Sequence, residues 1–188
     1  MLYKLAHILR DRCSWIWDGI ELLNSYLFYM RYGRRLKGIE DILRKYQGRY
    51  NVVILHKEDT PMAVEFFKRQ PEEAFRFFRP HEFNERTLRK LERSRSFLTY
   101  LVKEDKEIVG YFFLRCYFIG KAFRGYLVDY KHRNMGISKL TAKVMTDITE
   151  QIGIPSFGTV APENIASMKS QNAKVIKQLE NGDYYVKY

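Results

Sequence analysis

A switch of hydrophobic period constrains this chain more than any other feature. Tyr126-Leu127-Val128 reads as the end of a buried strand, and Leu140, Val144, Ile148 and Ile152 recur every four residues as the apolar stripe of a helix. Between them lies Arg133-Asn134-Met135-Gly136-Ile137-Ser138, a basic loop with one small turn residue. A strand that stops in such a loop and hands over to a helix makes an anion site. The free N–H groups of the first helical turn point at the ligand, and the helix dipole favours negative charge there. Gly136 can take backbone angles closed to other residues and lets a phosphate approach closely. An ordinary strand-to-helix connection accounts for the same residues equally well.

The spacing Arg133-x-x-Gly136-x-Ser138 after Val128-Asp129 resembles motif A of the GNAT N-acetyltransferases, whose members carry Arg/Gln-x-x-Gly-x-Gly/Ala here. It is not the dinucleotide-binding pattern, which needs three spaced glycines and a later acidic residue. Two further features follow in the order that superfamily requires. Pro162-Glu163-Asn164-Ile165-Ala166-Ser167 resembles the Asn-x-x-Ser/Ala that opens its next helix. Val175–Leu179 and Tyr184–Tyr188 flank Asn181-Gly182, a strong hairpin signal that resembles the superfamily's terminal hairpin. The resemblance covers roughly residues 51–188.

The resemblance implies an α+β sandwich, the GNAT fold, in which a mixed, mostly antiparallel sheet is flanked by helices. It divides the chain into an accessory helical segment, residues 1–47, and an acetyltransferase domain, residues 48–188. It also implies acetyl-CoA as co-substrate. Backbone at Leu127 and Val128 is expected along the pantetheine arm, Arg133, Asn134, Met135, Gly136, Ile137 and Ser138 around the pyrophosphate, and Asn164 and Ser167 beside them.

The periodicity within the domain agrees with that order. Val52–Leu55 reads as a first strand, and Asp59-Thr60-Pro61 as a helix start with Thr60 at the cap and Pro61 first inside. Ala63, Phe66 and Phe67 face the core of that helix, and residues 85–94 form a second with Leu88 and Leu91 inward. Phe97–Val102 and Ile108–Tyr117 read as paired strands turning at Glu104-Asp105-Lys106, and Gly120 turns into the strand ending at Val128.

Phe78-Arg79-Pro80-His81-Glu82-Phe83 and Gly110-Tyr111-Phe112-Phe113-Leu114-Arg115 resemble a branch of the superfamily associated with bacterial sugar and surface-polysaccharide biosynthesis. His81 and Arg115 are therefore expected to bind the acceptor, with loop packing an equal alternative for His81. An acceptor amine must lose a proton, and a proton must reach the departing thiolate. Many members place a tyrosine seven residues beyond the asparagine as that acid, but Gln171 stands here and cannot donate with comparable acidity. His81 and Glu163 are the catalytic candidates, with Asp129, Tyr126 and water also open.

The expected function is acetyl transfer from acetyl-CoA to the amine of a small molecule, an amino sugar by preference. A protein or peptide N-acetyltransferase and a non-catalytic CoA-fold binding module remain alternatives. The net charge of +11 is large for 188 residues, yet no nucleic-acid motif is evident, and CoA and nucleotide-linked substrates are themselves anionic. The histidines His7, His56, His81 and His132 are scattered and Cys13 and Cys116 lie far apart, so no metal site is expected and both thiols read as free and buried.

In the first segment Leu2, Leu5, Leu9, Ile16 and Ile20 give a helical stripe, with Trp15 and Trp17 adding aromatic bulk. Asp18, Glu21 and Asn24 interrupt the apolar stretch, which argues against a spanning helix, and no signal-peptide pattern precedes it. Cytoplasmic location is expected. Aromatics from Tyr26 to Tyr32 precede Arg31, Arg34, Arg35 and Lys37, a mixture that fits helices packed on the domain, a homodimer contact, or peripheral attachment to the inner membrane face. Ile39, Ile42, Leu43 and Tyr46 read as a short helix leading to Gly48.

Overall fold

The computed structural model describes residues 14–188. Leu2, Leu5, His7, Leu9 and Cys13 lie outside the described residues, as does the side chain of Trp15. Helix α1 (Ser14–Leu36) and the short α2 (Ile39–Arg44) precede β1 (Asn51–Ile54). Then come α3 (Thr60–Lys68), α4 (Glu85–Glu92), β2 (Phe97–Glu104), β3 (Glu107–Tyr117) and β4 (Lys121–Val128). Helix α5 (Ile137–Ile152), β5 (Ser156–Val160), α6 (Ile165–Ser170), β6 (Lys174–Gln178) and β7 (Tyr184–Lys187) complete the chain.

The seven strands form one sheet in the order β1-β2-β3-β4-β5-β7-β6. Every neighbouring pair is antiparallel except β4 with β5. This is the expected mixed, mostly antiparallel sheet flanked by helices. Alternation along β3 from Tyr111 to Cys116 splits the core in two. Phe112, Leu114 and Cys116 pack with α1, α2 and α5, whereas Tyr111 and Phe113 pack with α3 and α4.

Local chemistry sets the element ends. Helix α5 begins after Gly136 and ends at Gly153, both left-handed, and the amides of Gly153 and Ile154 donate to the Thr149 carbonyl. Gly182 (φ 89°) turns the β6–β7 hairpin. One boundary moves: the cap of α3 is Asp59, and Thr60 lies inside the first turn, because a 3-10 turn at Lys57–Asp59 runs directly into the helix.

Helix α1 lies against the sheet through an unexpected face. Phe28 and Tyr32 are buried, and so is Asn24, whose amide donates to Ser96 Oγ and the Cys116 carbonyl while its oxygen accepts from the Phe118 amide. Ile20, read from the sequence as part of a packing stripe, faces solvent instead. Tertiary hydrogen bonds, not the apolar stripe, orient this helix. No helix among the described residues is long and apolar enough to cross a membrane. Cys116 is buried and free, and burial pushes its thiol well up. No group of three or more His, Cys, Asp or Glu among the described residues is placed to hold a metal ion.

Candidate active site

The parallel strands β4 and β5 are hydrogen-bonded only at their start, where Ala122 faces Ser156 and Phe123 faces Phe157. Strand β4 continues to Val128 in register with β3, so from Arg124 onward one edge is paired and the other is bare. Unpaired backbone groups at a sheet interior demand partners, and a ligand can supply them. The wedge opens into a cavity of about 820 Å³ that reaches both faces of the sheet. Leu127, Val128, Arg133, Asn134, Ile137, Ser138, Glu163, Asn164 and Ser167 all line it.

At the wide end of the wedge, the basic loop is fixed from below. Asp129 is buried, and burial by itself pushes its carboxyl up. Donors from the Gln70 amide, the His132 ring, the Lys131 backbone and the Arg69 guanidinium outweigh that and hold it at about 2. Gln70 also accepts from the Tyr130 amide, which ties the loop entrance to the end of α3. Gly136 has φ 85°, and a Cβ built there would meet nothing within 4 Å. The space over the start of α5 is therefore open, as a phosphate cradle requires. Ile137 buries its side chain in the core, leaving only backbone to face the cavity, while Met135 is exposed and Arg133 lies over the Tyr130 ring at 4.7 Å.

On the α6 side, Asn164 caps its helix by accepting from the Ser167 amide, which leaves its Nδ2 unused. Gln171 is buried and donates to the Ser138 carbonyl at 3.0 Å, so it joins α6 to α5 and does not line the cavity. Tyr126 does line the cavity here, and its hydroxyl lies 3.1 Å from Ser170 Oγ. Beside it, the buried Arg124 also lines the cavity, at the closed end of the wedge. Its guanidinium meets Ser156 Oγ and the Tyr188 ring, with no carboxylate partner among the described residues. Burial lowers Arg124 to about 10, which leaves it charged at neutral pH. Burial likewise raises Tyr188 to about 12. Arg124 escaped sequence reasoning because nothing in a strand's alternation distinguishes a buried cation from a solvated one.

Across the sheet, Phe77, Phe78, Phe97, Phe113, Tyr117 and Phe123 form an aromatic chamber. Its floor is Gly125, where a Cβ would lie 2.6 Å from the Phe113 ring and 3.3 Å from Phe78. Arg115 lines this chamber, held in an ion pair by Glu21 of α1 and packed near Trp17. His81 does not line it. Its Nδ1 donates to the Glu82 carbonyl, which leaves Nε2 to accept from the Tyr111 hydroxyl at 2.8 Å. Burial lowers its pKa, and Phe67, Phe83 and Phe97 surround the ring. With both nitrogens engaged, His81 holds the aromatic cluster and has no free lone pair for an acceptor proton. Asp129 is likewise too strongly bound to serve as a base, whereas Glu163 is exposed at the cavity rim with no ion-pair partner among the described residues.

No family model matches this sequence, and no curated protein matches it. Solved structures do. The GNAT domain of S. lividans PAT superposes with a TM-score of 0.66 at 13% identity, over 75% of this chain and 90% of that one. The ribosomal-protein-S5-alanine acetyltransferase of Vibrio fischeri gives 0.64 at 12% identity, over 75% and 92%. The Salmonella typhimurium protein yncA, solved with its cofactor acetyl-CoA, gives 0.60 at 13% identity, over 75% and 94%. At such identities the likeness is one of fold, and the fold is that of the GNAT acetyltransferases.

Proposed function

We propose that this protein is an acetyl-CoA-dependent N-acetyltransferase that passes acetyl directly to the amine of a small molecule, an amino sugar by preference. One observation carries the reading: the bare edge of β4 leads straight into an open, glycine-headed cradle at the start of a 16-residue helix. Amides of Ile137 and Ser138, with Arg133, Asn134 and Met135 around them, suit a pyrophosphate. Backbone at Leu127 and Val128 offers hydrogen bonds to an extended amide-bearing arm, and Asn164 Nδ2 and Ser167 flank it. Acetyl-CoA supplies the acetyl group already activated as a thioester.

The chain's own groups then have distinct tasks. Holding acceptor and donor in line across the wedge removes much of the entropic cost of reaction. Glu163 can take the proton that leaves the amine, and Tyr126 Oη holds a proton for the departing sulfur, in place of the acid that Gln171 cannot supply. Arg124 is charged and lies two residues from Tyr126 on the same face of β4, so it places a positive charge at the closed end of the wedge. Six aromatic side chains suit an acceptor with a flat apolar face, which the ring hydrogens of a sugar provide, and Arg115 marks its rim. Two of the solved structures with this fold are named as ribosomal-protein alanine acetyltransferases, so a peptide N-terminus is the competing acceptor.

Thermal melting with and without acetyl-CoA tests the donor. A ligand at 100 times its Kd adds about 2.7 kcal/mol to the native state, so the melting point must rise. Gly136→Val, which places a branched side chain at φ 85°, must abolish that rise. Absence of any rise in the wild-type protein would sink the proposal. Mass spectrometry over amino sugars, peptides and polyamines identifies the acceptor. Donor binding without acetylated product from any of them would leave a binding module.

A further inference from the structure

The outward face of α1 is more apolar than the face it buries. Leu22, Leu23, Tyr26 and Met30 fall on one side of the helix at spacings of one, three and four residues. Leu22 is 73% exposed and Met30 67%. Ile20 of α1 and, in the β3–β4 turn, Phe118 and Ile119 are exposed as well. That turn is fastened beside α1 by Asn24 and by Arg31, which donates to the Phe118 carbonyl. An exposed apolar helix face of this kind marks an interaction site.

Charge decides the occupant. Both carboxylates of α1 are already neutralised, Asp18 by Lys90 at 2.5 Å and Glu21 by Arg115. Arg34 and Lys37, at the C-terminal end of the same face, are exposed and carry no ion pair among the described residues. A second copy laid antiparallel on this helix would bring its Asp18 end to Arg34, but that carboxylate is engaged. A parallel copy would set the cations against one another. An anionic surface satisfies both the apolar stripe and the unpaired cations. We propose that α1 and the β3–β4 turn form a docking face for an anionic lipid bilayer, with the helix lying flat. The opposite side of the same helix supplies Glu21 and Trp17 to Arg115 at the aromatic chamber.

Co-sedimentation of the full chain with vesicles tests this without reference to acetyl transfer. The protein must pellet at low salt with phosphatidylcholine vesicles containing phosphatidylserine, stay in solution with phosphatidylcholine alone, and be released by high salt. Arg34→Gln with Lys37→Gln must weaken binding about 30-fold, at roughly fivefold per cation. Leu22→Asp with Met30→Asp must abolish it while leaving the melting point unchanged, since both side chains are solvent-exposed. Failure of the wild-type protein to pellet overturns the proposal, as does undiminished binding by the Leu22/Met30 variant. A wild-type dimer in sedimentation equilibrium that this variant dissociates, without vesicle binding, would assign the face to a second copy.

Discussion

Replacing Asp129 by asparagine should unclamp the loop before α5 in a way that depends on pH. In the folded chain this carboxyl is held at about 2, against an ordinary 3.8. That difference corresponds to about 2 kcal/mol of folding free energy. The sign follows from the direction: a depressed carboxyl pKa stabilises above the unfolded value, and the stabilisation drains away as pH falls through the folded one. It is fully present near neutrality, about half remains at pH 3, and it is gone near pH 1. Asparagine keeps one acceptor oxygen, but its Nδ2 would confront the donors of Arg69 or Gln70. The wild-type protein should therefore exceed Asp129→Asn by about 2 kcal/mol near neutral pH, a melting difference of about 6 °C for a chain of this length. Urea titrations followed by circular dichroism measure the gap, which should shrink to about half at pH 3. A gap that stays constant between these conditions would refute the reasoning, since it would mean the charge on Asp129 is not what holds the loop.

The two faces of the wedge should separate under mutation. Tyr126→Phe keeps the ring and removes the proton, so kcat should fall by about 10²-fold or more with the acetyl-CoA melting shift intact; an unchanged kcat would remove Tyr126 from the proton path. Gly125→Ala puts a methyl group 2.6 Å from the Phe113 ring, so it should raise KM for the acceptor and leave donor binding alone. Loss of donor binding instead would mean that the chamber and the donor cleft are not distinct.

Much of the fold was legible because its signals are local. The α5 stripe, the Gly136 turn and the Asn181-Gly182 hairpin each depend on neighbours within a turn or two, and each stands where its spacing placed it. Thr60 missed its cap by one residue because a 3-10 turn and an α-helix share the same local cues. Ile20 was misplaced because an apolar stripe does not say which of two apolar faces finds a hydrogen-bonded seat, and Asn24 made that choice through Ser96 and Cys116.

The sequence by itself determined the order of elements, the glycine-headed start of α5 and a glutamine, with no acidic proton, at position 171. These are matters of spacing along the chain and of side-chain chemistry. Only the tertiary structure decided that His81 spends both nitrogens on Tyr111 and Glu82, and that Tyr126 meets Ser170. It alone brought Glu21 to Arg115 across 94 residues of chain. Such pairings depend on how strands register and helices dock, which is set by burial summed over the whole core and leaves no trace in any short run of residues.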